Sequence, residues 1–171
     1  MEVESRDTII DKVAQYLHWL TIPKQEFGNM PVCPFLDKEM RDDMLYIDIW
    51  YPHDNSFMDI MESFLLSGKN SALVVCPNTH TIDYSEVSRK DIQKQITDLL
   101  RKNPHTEYLK CMIFSPYEDF EVAGIKTRSG APYFLINVAP TKQLGKSHKD
   151  LMKTKYFQNF TDKEKNKLNV E

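Results

Sequence analysis

The part of the chain that most constrains the fold is residues 108–139, where two apolar segments flank a long polar one. The first apolar segment, 108–115, alternates between two faces, and the second, 133–139, is apolar almost throughout. Both patterns are typical of β-strands that contact a hydrophobic core. The polar segment between them carries Arg128 and has no helical period. We therefore expect the two strands to pair as antiparallel neighbours.

Two further strands are predicted earlier in the chain. Residues 44–51 alternate, so that Leu45 and Ile47 face one side of the sheet while Tyr46 and Trp50 face the other. Residues 72–76 form a short continuous apolar run, which is typical of a strand buried on both faces. Since the aromatic face of the first strand has no assigned cover, it is a candidate homo-oligomer interface.

Helical periods separate these strands. Apolar stripes at helical spacing occur in 7–20, 54–68, 85–102 and 147–160, with Asp7, Asp54 or Asn55, and Ser88 as candidate N-caps. Residues 21–43 show neither a helical period nor the alternation of a strand, and we expect them to form a long loop. The element order α-β-α-β-α-β-β-α predicts an α/β (α+β) fold with a four-stranded mixed sheet covered by helices. Its first three strands would be joined by right-handed parallel crossovers.

Length and composition set the broad class. A chain of 171 residues is large enough for a core without disulfides or metal, and we expect one domain over 1–160 and a charged, frayed tail over 161–171. The net charge of −3 argues against a nucleic-acid partner, and no apolar run reaches membrane-spanning length. Three cysteines without CxxC spacing and an acidic N-terminus without a secretory signal predict a cytoplasmic protein.

Polar residues follow three of the predicted strands at positions where ligands commonly bind. In open α/β sheets, ligands gather outside the carboxyl ends of the strands. Each of these ends carries an X-Pro step: Tyr51-Pro52, Cys76-Pro77 and Ser115-Pro116. The candidate substrate-binding residues at these ends are Asn78, His80, Ser115 and Tyr117.

Two residues have side chains suited to chemistry. Cys33 lies in the Pro-rich segment 31–34, whose restricted backbone would present the thiol to solvent. Arg128 precedes Ser129 and Gly130, and its planar guanidinium suits a carboxylate or phosphate, with the neighbouring hydroxyl completing an anion site. If the two lie together, the cation would favour a nucleophilic thiolate. The alternatives are a buried structural cysteine and a solvated or internally paired arginine.

Short motifs along the chain occur in a recognisable order: Val32-Cys33-Pro34-Phe35-Leu36, Phe114-Ser115-Pro116, and Thr127-Arg128-Ser129 followed by Pro132-Tyr133. In this order the chain resembles the bacterial domain of unknown function DUF1415, over residues 9–157. The resemblance implies a related fold and a site containing Cys33 and Arg128, with Phe35 and Tyr133 as pocket walls. Where that family has two His-Pro steps, this chain has Cys76-Pro77 and Ser115-Pro116, so any activity of those histidines would be lost here.

Three classes of function remain open from the sequence. The first is a domain that binds a small anionic molecule or uses Cys33 as a catalytic thiol with Arg128. The second is a non-enzymatic interaction or oligomeric protein. The third, a metal or haem binder, has the least support, because the five histidines show no HxH, HxxxH or HExxH spacing. No metal ligand and no cofactor is assigned.

Overall fold

The computed structural model describes residues 4–118, 120–128 and 130–170. Its helices are α1 (Arg6–Thr21), α2 (Pro34–Arg41), α3 (Phe57–Ser67), α4 (Arg89–Lys102), α5 (Thr141–Met152) and α6 (Asp162–Val170). Its strands are β1 (Pro23–Lys24), β2 (Met30–Pro31), β3 (Leu45–Ile49), β4 (Ser71–Cys76), β5 (Leu109–Phe114), β6 (Glu121–Val122), β7 (Ile125–Lys126) and β8 (Phe134–Pro140). Short 3₁₀ helices cover Gln25–Phe27 and Tyr84–Glu86.

The main sheet has the strand order β3-β4-β8-β5, which confirms the predicted four-stranded mixed sheet. Strands β3 and β4 are parallel and are joined through α3. As expected, β8 is antiparallel to β5, but it also pairs antiparallel with β4 and so separates the two. The physical reason is burial: β4 and β8 are apolar on both faces and therefore take the two central positions, while β3 and β5 alternate and form the edges.

Helices cover both faces of this sheet and create two cores. One core lies under α3 and α4 and contains Phe64, Leu100 and the sheet residues Val74 and Ile136. The other core lies under α1, α2, the β6–β7 hairpin and the segment 153–160. The aromatic face of β3 belongs to the first core, where Tyr46 packs on Phe64 at 6.1 Å between ring centroids. That face therefore packs partly against α3, and its use as an oligomer interface stays a prediction.

Helix boundaries follow capping residues, some of which differ from those predicted. Ser88 caps α4 as predicted, accepting a hydrogen bond from the backbone N–H of Asp91. Ser56 caps α3 in a reciprocal capping box with Asp59, whereas we had expected Asp54 or Asn55. Ser5 rather than Asp7 caps α1.

The segment 21–43 contains regular structure that we had predicted as loop. Strands β1 and β2 pair antiparallel, and α2 follows directly with Pro34 in its first turn. Proline is favoured at this position because its fixed φ suits the helix and its missing N–H would have no helical partner. Pro34 is therefore a sequence signal for the start of α2.

A buried carboxylate fixes α2 to the rest of the fold. Glu39 is 2% exposed. It accepts hydrogen bonds from Asn70, Ser71 and Gln143. These donors lie at β4 and in α5, so that one side chain joins three elements and fixes the orientation of α2.

The C-terminal part of the chain differs from the prediction. Helix α5 begins at Thr141 rather than at 147 and ends at Met152. Residues 153–160 form turns that insert Tyr156, Phe157 and Phe160 into the core. Residues Asp162–Val170, where we expected a frayed tail, form helix α6.

Candidate ligand cavity

A cavity of about 180 Å³ lies beside β5 and brings Cys33 and Arg128 together. Most of its wall is apolar or aromatic, which is typical of small-molecule sites. The polar groups on the wall come from Cys33, Gln93, Thr127, Arg128 and Tyr156. The remaining described lining residues are Leu20, Phe27, Val32, Met112, Ile113, Phe114, Phe120, Val122 and Phe160.

Cys33 is held between two helices. Its backbone N–H donates to the carbonyl of Leu20 in the last turn of α1, at 3.2 Å. Its own carbonyl accepts the N–H of Asp37 at 3.1 Å, which is the first hydrogen bond of α2. Cys33 is therefore the N-cap residue of α2, and both neighbouring helices fix its position in the wall.

The segment 153–160 closes the cavity beside Cys33. The phenol of Tyr156 donates to the carbonyl of Val32 at 2.5 Å. Phe160 packs edge-on against Phe27, with ring centroids 5.6 Å apart. Gly28 permits this approach, since a Cβ at that position would lie 2.4 Å from the carbonyl oxygen of Lys155. The C-terminal segment is thus a wall of the site, held by aromatic packing and backbone contact.

Arg128 is positioned by the segment that follows β5. Its guanidinium carbon lies 4.1 Å from the ring centroid of Phe120 and 5.8 Å from that of Phe114. Such cation–π contacts favour the charged side chain at the aromatic wall. The preceding carbonyl, of Thr127, accepts a 2.6 Å hydrogen bond from the buried phenol of Tyr16. Tyr16 therefore fixes the backbone from which Arg128 projects.

The electrostatics of Cys33 differ from the sequence-based expectation. Burial raises the pKa of its thiol, the nearby Asp37 carboxylate raises it further, and a hydrogen bond from the backbone of Leu36 only partly opposes this. We had expected Arg128 to favour the thiolate. Desolvation dominates instead, so that the thiol is neutral at pH 7 and is a poor nucleophile.

Three of the predicted binding residues form a separate cluster at the carboxyl ends of β4 and β5. The side-chain amide of Asn78 donates to the phenol of Tyr117 at 3.4 Å and to Asp83 at 3.1 Å. The hydroxyl of Ser115 accepts the N–H of Tyr117 at 3.3 Å. The segments that follow β4 and β5 are thus joined by side-chain contacts, but these residues are not among the described lining residues of the cavity. Their role in substrate binding stays a prediction.

Of the other predicted binding residues, three are described by the structure and one is not. Phe35 is half-buried in the first turn of α2, and His80 is exposed in the loop after β4. The phenol of Tyr133 donates to Glu4 at 2.5 Å, near the start of α1. Ser129 lies outside the described residues. None of the three described side chains is among the cavity's described lining residues.

Sequence reasoning missed several wall residues. Tyr156 and Phe160 belong to the segment 153–160, which we had assigned to a helix, and Phe27 belongs to the segment assigned as loop. A usable signal was the density of aromatic residues at 156–160 within an otherwise polar and charged stretch, because exposed aromatic clusters are uncommon. Gln93 carried no signal, since it lies on the polar side of a helix pattern.

The described residues contain no group of three or more His, Cys, Asp or Glu side chains that could hold a metal ion. No described helix is long and apolar enough to cross a membrane. Comparison with protein-family models, curated proteins and solved structures finds no match, so that the resemblance to DUF1415 stays a prediction.

Proposed function

We propose that this protein binds a small, mostly apolar molecule that carries one anionic group, in the cavity between Cys33 and Arg128. The observation that carries the proposal is that one guanidinium and many apolar side chains line the same cavity of about 180 Å³. Apolar walls favour desolvation of a hydrocarbon group. A guanidinium offers five N–H donors, so Arg128 is able to bind a carboxylate while keeping its existing contacts.

In this proposal Cys33 forms part of the cavity wall. A neutral thiol in an apolar surrounding packs as a small hydrophobic group and donates only weak hydrogen bonds. The raised pKa of the thiol supports this role rather than nucleophilic attack. Catalysis by Cys33 with Arg128 therefore has less support than binding.

The test uses 3-phenylpropionate and its neutral analogue 3-phenylpropanol as probes, with binding followed by protein NMR and by calorimetry. We expect the acid to bind more tightly than the alcohol. In Arg128→Gln the affinity for the acid should fall roughly 10- to 100-fold, the range for a lost charge-assisted hydrogen bond, while the affinity for the alcohol stays unchanged.

Arg101→Gln is the matched control, because Arg101 is exposed in the last turn of α4. It should leave both affinities unchanged, and circular dichroism should show both variants folded. Equal binding of acid and alcohol to the wild type would refute the anion anchor. Chemical-shift changes remote from Cys33 and Phe120 would refute the cavity as the site.

A further inference from the structure

Gln93 is the polar residue that α4 contributes to the cavity. It lies in the second turn of α4, is half-buried, and lines the cavity together with Arg128. Arg128 comes from the segment between β7 and β8. The cavity therefore has polar groups from two separate elements, in addition to its apolar wall.

Arg89 fixes the orientation of the Gln93 side chain. The two residues are four positions apart on one helix face, and Nη1 of Arg89 donates to Oε1 of Gln93 at 3.2 Å. Because arginine has no acceptor, the atom that it contacts is the amide oxygen. The side chain of Arg89 is 13% exposed, and its Nε donates to Glu118 at 2.9 Å. The oxygen of Gln93 is thus engaged, and its NH₂ group is the part that remains for a ligand.

The hydrogen-bonding groups of the cavity wall are mainly donors. The NH₂ group of Gln93 makes no hydrogen bond to any residue that the structure describes. The guanidinium of Arg128 consists of donors only. The phenol proton of Tyr156 is already donated to the carbonyl of Val32. A wall of this kind matches a ligand that carries acceptors at more than one place.

We propose that the ligand is an apolar acid that also carries an uncharged carbonyl oxygen, and that Gln93 selects this oxygen. Arg128 binds the acidic group, the NH₂ group of Gln93 donates to the carbonyl, and the apolar side chains enclose the rest. This inference rests on the proposed function, because it uses the same cavity and the same cation. It adds the class of ligand, an oxo acid, and a residue that determines specificity.

The selectivity has a physical reason on each side of the contact. A methylene group in place of the carbonyl would leave the NH₂ group of Gln93 facing an apolar ligand without a partner. A carbonyl in a cavity without this NH₂ group would lose its hydration and gain no hydrogen bond in exchange. The preference for a ketone over a methylene group should therefore reverse when Gln93 is replaced by an apolar residue.

The experiment compares acids of one carbon skeleton by calorimetry on the full chain. The parent acid is 4-phenylbutanoate, and its two ketones, 2-oxo-4-phenylbutanoate and 4-oxo-4-phenylbutanoate, place the oxygen at opposite ends of the linker. We expect one ketone to bind the wild type roughly 3- to 10-fold more tightly than the parent acid, the range for a neutral hydrogen bond. In Gln93→Met this ketone should bind more weakly than the parent acid, whose affinity should stay unchanged.

Gln95→Met is the matched control, because Gln95 lies on the same helix and is exposed. It should preserve the preference for the ketone. Gln93→Glu is a second variant that keeps an oxygen for Arg89 but presents no NH₂ group. Its added charge should weaken the binding of all three acids, and the ratio of ketone to parent affinity should fall below that of the wild type.

Protein NMR reports the contact directly in the wild type. The side-chain NH₂ resonances of Gln93 are identified by their loss in Gln93→Met. They should shift more on addition of the preferred ketone than on addition of 4-phenylbutanoate. Equal shifts with the two acids would contradict a hydrogen bond to the carbonyl.

The remaining outcomes separate the two proposals. The inference falls if neither ketone binds the wild type more tightly than the parent acid, or if the preference persists in Gln93→Met. It also falls if Gln93→Met is folded but binds none of the three acids, since Gln93 then has a structural role. In each of these cases, binding of 4-phenylbutanoate to the wild type that depends on Arg128 leaves the proposed function standing. If no acid binds the wild type, both proposals fall.

Discussion

At the residue scale, the environment of Cys33 decides its chemistry more than its sequence neighbours do. The Pro-rich segment around it predicted a presented thiol, but in the structure the residue caps α2 and lines an apolar cavity. Burial stabilises the neutral form, because the charged thiolate would lose its hydration without gaining an equivalent partner. Arg128 lines the same cavity and packs on Phe120.

The raised pKa of Cys33 predicts slow alkylation of the native protein. At pH 7.5, iodoacetamide should modify this thiol about 10-fold or more slowly than in the urea-unfolded chain, because fewer molecules carry the thiolate. The native rate should continue to rise above the ordinary thiol pKa of about 8.5. Peptide mapping by mass spectrometry reports Cys33 separately from Cys76 and Cys111.

A rate inflection below the ordinary thiol pKa would contradict this prediction and would restore the nucleophile hypothesis. Cys33→Ser supplies the control, since the mapped peptide should then show no modification at any pH.

At the element scale, the C-terminal segment 153–160 acts as a wall that depends on one close backbone contact. Gly28 has φ +65° and its Cα lies against the backbone of Lys155. A side chain at position 28 would thus meet two costs, the left-handed backbone conformation and the contact with Lys155. Tyr156 follows directly and lines the cavity, so that this contact also positions part of the site.

Gly28→Ala should destabilise the protein by more than Gly68→Ala. Gly68 has a similar φ of +70° but open space where a Cβ would be. Gly68→Ala is therefore a control that measures only the cost of the left-handed backbone conformation. We expect about 1–2 kcal/mol for Gly68→Ala from the left-handed conformation. Gly28→Ala should cost about 1–3 kcal/mol more, from overpacking. Urea unfolding measures both.

Equal losses of unfolding free energy in the two variants would show that Lys155 moves aside without cost. The binding assay with 3-phenylpropionate then tests the wall separately: Gly28→Ala should weaken binding, because Tyr156 moves with Lys155, and Gly68→Ala should not.

At the scale of the whole molecule, both cores contain weak acids that are buried in the protonated form. Burial raises the pKa of Cys76 to about 12 and also raises that of its neighbour Tyr84. On the other side of the sheet it raises the pKa values of Tyr16 and Tyr156. The folded protein therefore retains protons that the unfolded chain releases in alkali.

The free energy of unfolding should be constant near pH 7 to 8 and should fall above that range. Where the folded state binds more protons than the unfolded state, stability decreases as pH rises. Full stability is present below the unfolded thiol pKa of about 8.5 and is lost as pH rises towards the folded pKa. Cys76 alone should account for a loss of roughly 1–2 kcal/mol at pH 10.

Urea unfolding from pH 7 to pH 10.5 measures this loss. Cys76→Ala serves as the comparison variant: it lowers stability at neutral pH by removing core volume, but its stability should depend less on pH. A wild-type stability that is flat up to pH 10.5 would contradict the prediction.

The sequence by itself determined the elements that rest on local periodicity. Continuous apolar runs and alternation identified the four strands of the main sheet, and helical stripes identified α1, α3 and α4, because the period of burial is set by the geometry of each element. The continuous apolar run at 72–76 also predicted a strand buried on both faces, and β4 is buried along its whole length.

Only the tertiary structure decided which distant segments meet. The insertion of β8 between β4 and β5, the aromatic wall from 153–160 and the shared cavity of Cys33 and Arg128 all depend on contacts between residues far apart in the chain. The protonation state of Cys33 also depends on the tertiary structure, because the thiol loses its hydration only when the folded chain surrounds it. The local sequence pattern indicates which face of a helix or strand is buried. Which other helix or strand covers that face depends on how the whole fold packs.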